Sequence, residues 1–391
     1  MTYKYKKDNY QLTKNNNNDA HSDLYRIKSG QTYKNEEGVI VFSQTEKRGY
    51  WSNVSRDKMR QVIKYAEYEK NWKSAVNKFI PDCDRHISPL FRGDIGFILP
   101  INKDSIVLDA GSMWGGITVP LSRHCKKIIA LDKTWESLKF LEVRSRQENI
   151  ENITLIESEV DNLPFEDNTF DLIILNGVLE WVATKEEVNL DQEWYKKRKK
   201  FNKNKIPADI VQKNVLKEIS RTLKPNGTLY IAIENRIGVQ YFFGYPDDHV
   251  NIRFVTFWPR FISNFITKQL KNHEFRTYLY SPKHLKSILK KIGFKKVDLF
   301  SSFPHYNIIS RLVNFKIFDY LNDLPLNGDA PLDLRGIIKV KLFAIGWSFV
   351  PNPIKKHFTP SIVLTASKSS ENRPSQIIEY LHSNNIIKDN N

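Results

Sequence analysis

Short apolar runs, each with an acid or an asparagine at or next to its last residue, recur through the middle of the chain. They are SIVLDA (105–110), KIIALD (127–132), NITLIE (152–157), FDLIILN (170–176) and GTLYIAIE (227–234). Runs of this length with no polar alternation predict strands buried on both faces. Helical spacing fills the gaps between them: Trp135, Leu138 and Leu141 share one face, and so do Val211, Val215, Ile219 and Leu223. Strand, helix and strand in alternation predict a parallel sheet covered by helices. Ser281 as N-cap, Pro282 at the first helical position and Gly293 as stop bracket a later helix. FKKVDLF (294–300) and SIVLTAS (361–367) are the last strand candidates. The expected fold is α/β, a doubly wound, mostly parallel seven-stranded sheet.

Before this core, Met59, Val62, Ile63 and Tyr65, then Trp72, Val76 and Phe79, repeat at three-to-four spacing, which predicts a helical extension over 36–99. Residues 1–35 are polar and rich in Asn and Lys and read as a tail, as do 369–391. The main domain is expected over 100–368, interrupted near 183–206, 235–280 and 302–360. Insertions of that length in a compact domain carry function or structure of their own.

With 40% hydrophobic and 12% aromatic residues over 391, most of the chain is expected to fold. Cys83 and Cys125 stand alone, so neither a disulfide framework nor a metal site is expected. The amino-terminal residues lack the apolar stretch of a signal peptide, and no run of about 18 apolar residues occurs. A cytoplasmic protein is expected, with peripheral contact at the inner membrane face as an option. The net charge of +16 suits any polyanion without choosing one. Lys196 to Lys200, beside Trp194 and Tyr195, form the densest basic run, which reads first as a solvated face and second as an RNA contact. The segments 308–321 and 336–350 are apolar with scattered lysine, in the manner of basic amphipathic helices that cover a sheet or rest on a membrane.

The stretch Val107-Leu-Asp109-Ala-Gly111-Ser-Met-Trp-Gly115-Gly116-Ile-Thr118 falls where a strand turns into a helix, and predicts a nucleotide-type pocket. Met113 breaks the G-x-G-x-x-G of a dinucleotide site. A carboxylate at Asp109 suits a cationic amino group, and one at Asp132, closing the second strand, suits ribose hydroxyls. Glu159 follows the third strand.

The order VLDAG, ALD, ESEVDNLPFEDNTFDLIILNGVLEW and LKEISRTLKPNGTLYIAIEN resembles the class I S-adenosylmethionine-dependent methyltransferases, especially their type 11 branch. The resemblance implies that Asp109, Gly111 and Gly115 hold the methionine part of S-adenosyl-L-methionine, Asp132 the ribose, and Glu159 with the Val160 backbone the adenine. Met113 stands where the family has its middle glycine. The flanks KMRQVIKYAEYEKNW, IENRIGVQYFFGYPDDH and TYLYSPKHLKSILKKIGF resemble methyltransferases of surface-polysaccharide gene sets. The acceptor this implies is an oxygen, or second a nitrogen, of a sugar, lipid-linked glycan or other small molecule. An RNA methyltransferase and a non-catalytic cofactor-binding protein are the alternatives.

Methyl transfer needs alignment first and a base second. Asn176 and Glu180, after the fourth strand, and His249, in the insertion after the fifth, are the candidates for the chemistry, and Asn176 is also a candidate cofactor contact. Glu234, Asn235, Asp247 and Asp248 are polar neighbours of these in sequence. In the 235–280 insertion Tyr241, Phe242, Phe243 and Tyr245 are candidates to stack on a sugar ring.

Overall fold

The computed structural model describes residues 33–42, 54–184, 206–316, 345–370, 377–381 and 386–389. The chain divides into two compact units. One holds Met1–Leu175, Lys185–Trp194 and Lys213–Leu229; the other holds Asn176–Thr184, Tyr195–Gln212 and Tyr230–Asn391.

The first unit is the parallel sheet. Its strands are β1 (Lys34–Glu36), β2 (Val39–Val41), β3 (Ile106–Ala110), β4 (Lys127–Asp132), β5 (Ile153–Glu157) and β6 (Phe170–Asn176), whose last residue falls to the second unit. They lie in the order β1-β2-β5-β4-β3-β6. From β2 to β6 every pairing is parallel. All six residues of β4 are buried, as expected of a strand covered on both faces. The first core strand, β3, lies between β4 and β6, so strand order reverses on either side of it. Such a switch point is where open α/β sheets take ligands, beyond the carboxyl ends of the strands.

Helices α1 (Arg56–Glu69), α2 (Trp72–Phe79), α3 (Asp84–Ile87), α4 (Thr118–Ser122) and α5 (Trp135–Gln147) complete this unit. The Ser55 hydroxyl caps α1 by accepting the Lys58 N–H. The apolar stripe read from the sequence (Met59, Val62, Ile63, Trp72, Val76) packs with Phe140 and Val143 of α5 and with Trp114. Gln147 fixes the join, accepting the Trp72 N–H and donating to the Ala66 carbonyl.

The extension over 36–99 is not all helical. Val39, Ile40 and Val41 are buried in β2, which pairs with β5 and carries β1 outside it. Three apolar residues are too short a run to show a strand periodicity, and their partner lies more than a hundred residues away.

Helix α6 (Ala208–Thr222) and strand β7 (Leu223–Glu234) have residues in both units. The second unit contains α7 (Val239–Phe242), α8 (Arg260–Lys271), α9 (Pro282–Ile292), β8 (Lys296–His305), β9 (Ile308–Asn314), β10 (Ser361–Ser367), β11 (Ile377–Leu381) and β12 (Ile386–Asp389). Its strands follow the order β7-β10-β8-β9-β11-β12, and β10–β8, β8–β9, β9–β11 and β11–β12 are antiparallel. Helix α9 has the expected bounds; Gly293 ends it at φ 115°, and Ser281 stands at the N-cap without a side-chain capping bond.

Three expectations change here. The insertion at 302–360 opens as the β8–β9 hairpin, so 308–314 is strand and not amphipathic helix. The segment 369–391, read as a tail, contributes β11 and β12. The described residues thus form twelve strands where seven were expected, the surplus being β1, β2, β9, β11 and β12. Residues 185–205, with the basic run Lys196 to Lys200, and 317–344 lie outside the described residues.

Candidate active site

In the first unit the loop after β3 turns on three positive φ angles, Gly111 at 85°, Met113 at 44° and Gly115 at 77°. A Cβ on Gly115 would stand 2.3 Å from Leu141 Cδ1 of α5, so close packing on α5 and left-handed backbone both require glycine there. Met113 takes the same left-handed region with a side chain, which explains why the resembled family places a glycine at this position.

The loop is tied to β4. The N–H groups of Gly111 and Ser112 donate to the Leu131 carbonyl, and that of Met113 donates to Asp132 Oδ2 at 2.9 Å. Asp132 Oδ1 accepts the Thr134 N–H at 2.8 Å. Asp132 therefore clamps the two strand ends together while its remaining lone pairs stay available to hydroxyls. Burial raises its pKa. Asp109 is also buried, and the Thr118 hydroxyl donates to its Oδ2 at 2.6 Å. Burial pushes the Asp109 carboxyl up to about 6, against the opposing pull of Thr118 and of the Arg92 charge. The buried Ser112 hydroxyl makes no hydrogen bond within the protein. A buried pair of carboxylates, an unmatched hydroxyl and a turn held open by positive φ fit a ligand with an amino group and hydroxyls. Glu157, the last residue of β5, is buried, Glu159 is exposed and Val160 is half-buried.

In the second unit a carboxylate–imidazole cluster forms. Glu180 lies in the turn after β6, Glu234 ends β7, and His249 lies in the loop after α7. Their ligand atoms lie within 4.8 Å of one another. His249 is 1% exposed and Glu180 is 0% exposed. The Asp247 carboxylate organises the loop: its Oδ1 accepts the N–H groups of His249 and Val250, and its Oδ2 lies 3.3 Å from His249 Nδ1. His249 Nε2 faces Glu234 Oε2 at 3.7 Å. Trp181 packs on the imidazole, ring centroids 4.8 Å apart. Burial lowers the His249 pKa, but the carboxylates of Asp247, Glu234 and Glu180 outweigh it and raise the group to about 10. Burial and the neighbouring Glu234 push Glu180 up to about 8.

Tyr306, in the β8–β9 turn, was missed by sequence reasoning. Its buried hydroxyl lies 3.1 Å from Glu234 Oε1 and 3.4 Å from Glu180 Oε1. A lone tyrosine inside a long insertion carries no motif, and only the fold of the hairpin brings it here. Asn176 Nδ2 stands 3.5 Å from Asn307 Oδ1, and its own buried Oδ1 accepts nothing. Asn235 is structural: its side chain donates to the carbonyls of His357 and Thr359. Of the aromatic residues named for sugar stacking, Tyr241 is buried and packs edge-on against Phe257, so its ring is not presented. Phe242 is exposed, and Phe243 and Tyr245 are half-exposed.

Residues 101–241 match the model of a family described as a methyltransferase domain. The segment is a methyltransferase domain. The protein is an S-adenosylmethionine-dependent methyltransferase of Rossmann-like fold, and S-adenosylmethionine is its cofactor. The matching model is of the type 31 branch, where the type 11 branch was expected. No curated protein matches the methyltransferase. Among solved structures it is similar to a chain in the complex between the Haloferax volcanii Trm112 methyltransferase activator and a methyltransferase. That likeness has 12% identity and a TM-score of 0.40, and covers 73% of this chain and 91% of that one. A chain described as a methyltransferase from Bacillus halodurans C-125 gives 13% and 0.38, covering 71% and 99%. Haemonchus contortus phosphoethanolamine N-methyltransferase 2, in complex with S-adenosyl-L-methionine, gives 14% and 0.37, covering 69% and 50%. No helix among the described residues is long and apolar enough to cross a membrane.

Proposed function

We propose that the protein methylates an oxygen, or second a nitrogen, of a sugar, lipid-linked glycan or other small acceptor. The cofactor, when bound, supplies a methyl group on a sulfonium, open to in-line displacement. In this reading Asp109 holds the amino group of the cofactor and Asp132 its ribose. Gly111 and Gly115 keep the loop close to the methionine part, and Glu159 and Val160 meet the adenine. Asn176 is assigned both to the cofactor and to the chemistry.

One observation carries the choice of acceptor chemistry: Glu180, Glu234 and His249 converge in a buried cluster. A hydroxyl acceptor must lose a proton as it gains a methyl group, and a cluster of carboxylates around an imidazole is a place to put it. Glu180 and His249 are the residues assigned to the chemistry, Glu180 as the proton acceptor and the charged His249 as its partner, with Asp247 and Tyr306 positioning them.

The lipid-linked option is supported by α8. Phe261, Phe265 and Leu270 are exposed at 74%, 63% and 64%, and the only charges on the helix are Arg260, Lys268 and Lys271. An exposed apolar face with basic neighbours suits the surface of an anionic bilayer.

The test is turnover with labelled cofactor on cell-surface glycan, lipid and RNA extracts. Label is expected in glycan or glycolipid, falling about 10²-fold in Glu180→Gln, as when a proton-accepting group is lost. Replacing His249 is the less clean experiment, since it strands the buried Asp247 carboxylate and lowers stability too. Label entering RNA alone would replace this reading with the RNA alternative, and binding without turnover on any extract would favour the non-catalytic one.

A further inference from the structure

We propose that Glu180, Glu234 and His249 form a binding site for one divalent first-row transition-metal ion. This deepens the reading above, because the ion would sit in the cluster assigned to the acceptor.

Two buried carboxylate oxygens of the cluster lack donors. Glu180 is 0% exposed, and its Oε2 makes no hydrogen bond; the buried Oε2 of Glu234 makes none either. A buried carboxylate oxygen without a hydrogen-bond donor is costly, so such an arrangement persists where something else satisfies it. An ordinary histidine–glutamate ion pair does not account for it. The imidazole has two nitrogens; Nδ1 is taken by Asp247, and Nε2 faces Glu234 at 3.7 Å, which leaves Glu180 Oε2 unmatched.

The outer contacts are arranged as they are around a metal. Asp247 grips Nδ1 of His249, which fixes the ring and leaves Nε2 to point at the cluster. The Tyr306 hydroxyl sits on the Oε1 atoms of both glutamates, so the two Oε2 atoms are the ones left for ligation. Gly177 makes room for this: at φ 68°, it would place a Cβ 2.6 Å from the Tyr306 oxygen. With bonds of about 2.0–2.2 Å, adjacent donors on one ion stand about 3.0–3.5 Å apart, so the three atoms, which lie within 4.8 Å of one another, would draw together by about 1 Å on binding. One imidazole and two carboxylates is a mixed N/O set, suited to zinc, manganese, iron(II) or cobalt more than to the all-oxygen preference of calcium or magnesium. Three protein ligands leave positions open, and an acceptor hydroxyl bound at one of them would lose its proton more easily.

The experiment uses the full-length protein stripped with chelator and titrated with Zn2+ or Mn2+ in the absence of any acceptor. One ion per chain is expected, weakened at least tenfold in Glu180→Gln and about 10- to 100-fold in Asp247→Asn. It should be unchanged in Asp132→Ala. Co2+ should give a visible absorption band that the Glu180→Gln protein lacks. Absence of stoichiometric binding by the folded wild-type protein, or equal binding by Glu180→Gln and Asp247→Asn, overturns the site. Because binding is read without turnover, a protein that binds the ion yet methylates no glycan would sink the acceptor reading and leave the metal site standing.

Discussion

At the scale of single residues, Asp109 and Met113 each make a checkable statement. Burial holds the Asp109 carboxyl near 6, against an ordinary 3.8. The free protein therefore loses stability from this group as pH rises from about 4 through 6, because the folded state resists the charge that the unfolded state accepts. Cofactor binding runs the other way. An ammonium beside Asp109 favours the ionised form, so affinity should be level above about pH 7 and fall as pH drops through 6, approaching tenfold per unit. Calorimetric titration between pH 5 and 7.5 reads this, and in Asp109→Asn the slope should vanish; a flat wild-type profile would remove Asp109 from the amino-group role. Met113 holds φ 44°, which costs a side-chain-bearing residue about 1 kcal/mol. Glycine relieves that strain but adds about 0.5–1 kcal/mol of unfolded-state entropy. Met113→Gly should leave the melting temperature unchanged or slightly raised, and a fall of several degrees would show that the methionine side chain holds the loop.

At the scale of elements, α8 carries the prediction that belongs to the lipid-linked reading. Ser263 and Thr267 face inward while Phe261 and Phe265, one turn apart, face out. Burying two phenylalanine rings in a bilayer interface would contribute a few kcal/mol, reinforced by lysine near anionic headgroups. The double variant Phe261→Asp with Phe265→Asp should abolish sedimentation with vesicles rich in phosphatidylglycerol, while cofactor affinity stays at the wild-type value. Equal sedimentation of the two proteins would leave α8 without a membrane role.

At the scale of the whole molecule, the parallel sheet does not begin with its first core strand. The β1–β2 hairpin buries Val39, Ile40 and Val41 along β5, at 0%, 4% and 3% exposure. Each aliphatic side chain buried in this way stabilises by about 1.5–3 kcal/mol before the cost of ordering the strand. Removing residues 1–42 also uncovers the edge of β5, an invitation to aggregate. The shortened protein should unfold at lower urea concentration, by about 2–5 kcal/mol, and aggregate more readily. An unchanged unfolding midpoint would show that the hairpin adds nothing.

The core strands were legible in the sequence because burial on both faces writes itself as uninterrupted apolar runs, and each of β3, β4, β5, β6 and β7 ends within a residue of where its run ends. Asp109, the glycine loop and Asp132 were legible for a related reason: they lie on one short strand–loop–helix unit and the strand after it, so local spacing carries the chemistry. The hairpin strands β1, β2, β9, β11 and β12 were not, since they are short, polar on at least one side or paired with distant segments. Glu180 and His249 were visible as candidates after strands, but their partnership with Glu234, Asp247 and Tyr306 was not. Those residues come from four separate turns and strand ends spread over 127 positions, from 180 to 306. Sequence spacing reports neighbours along a strand or helix; only the tertiary fold decides which buried carboxylates share an imidazole, because long-range packing and not local propensity brings them within 5 Å.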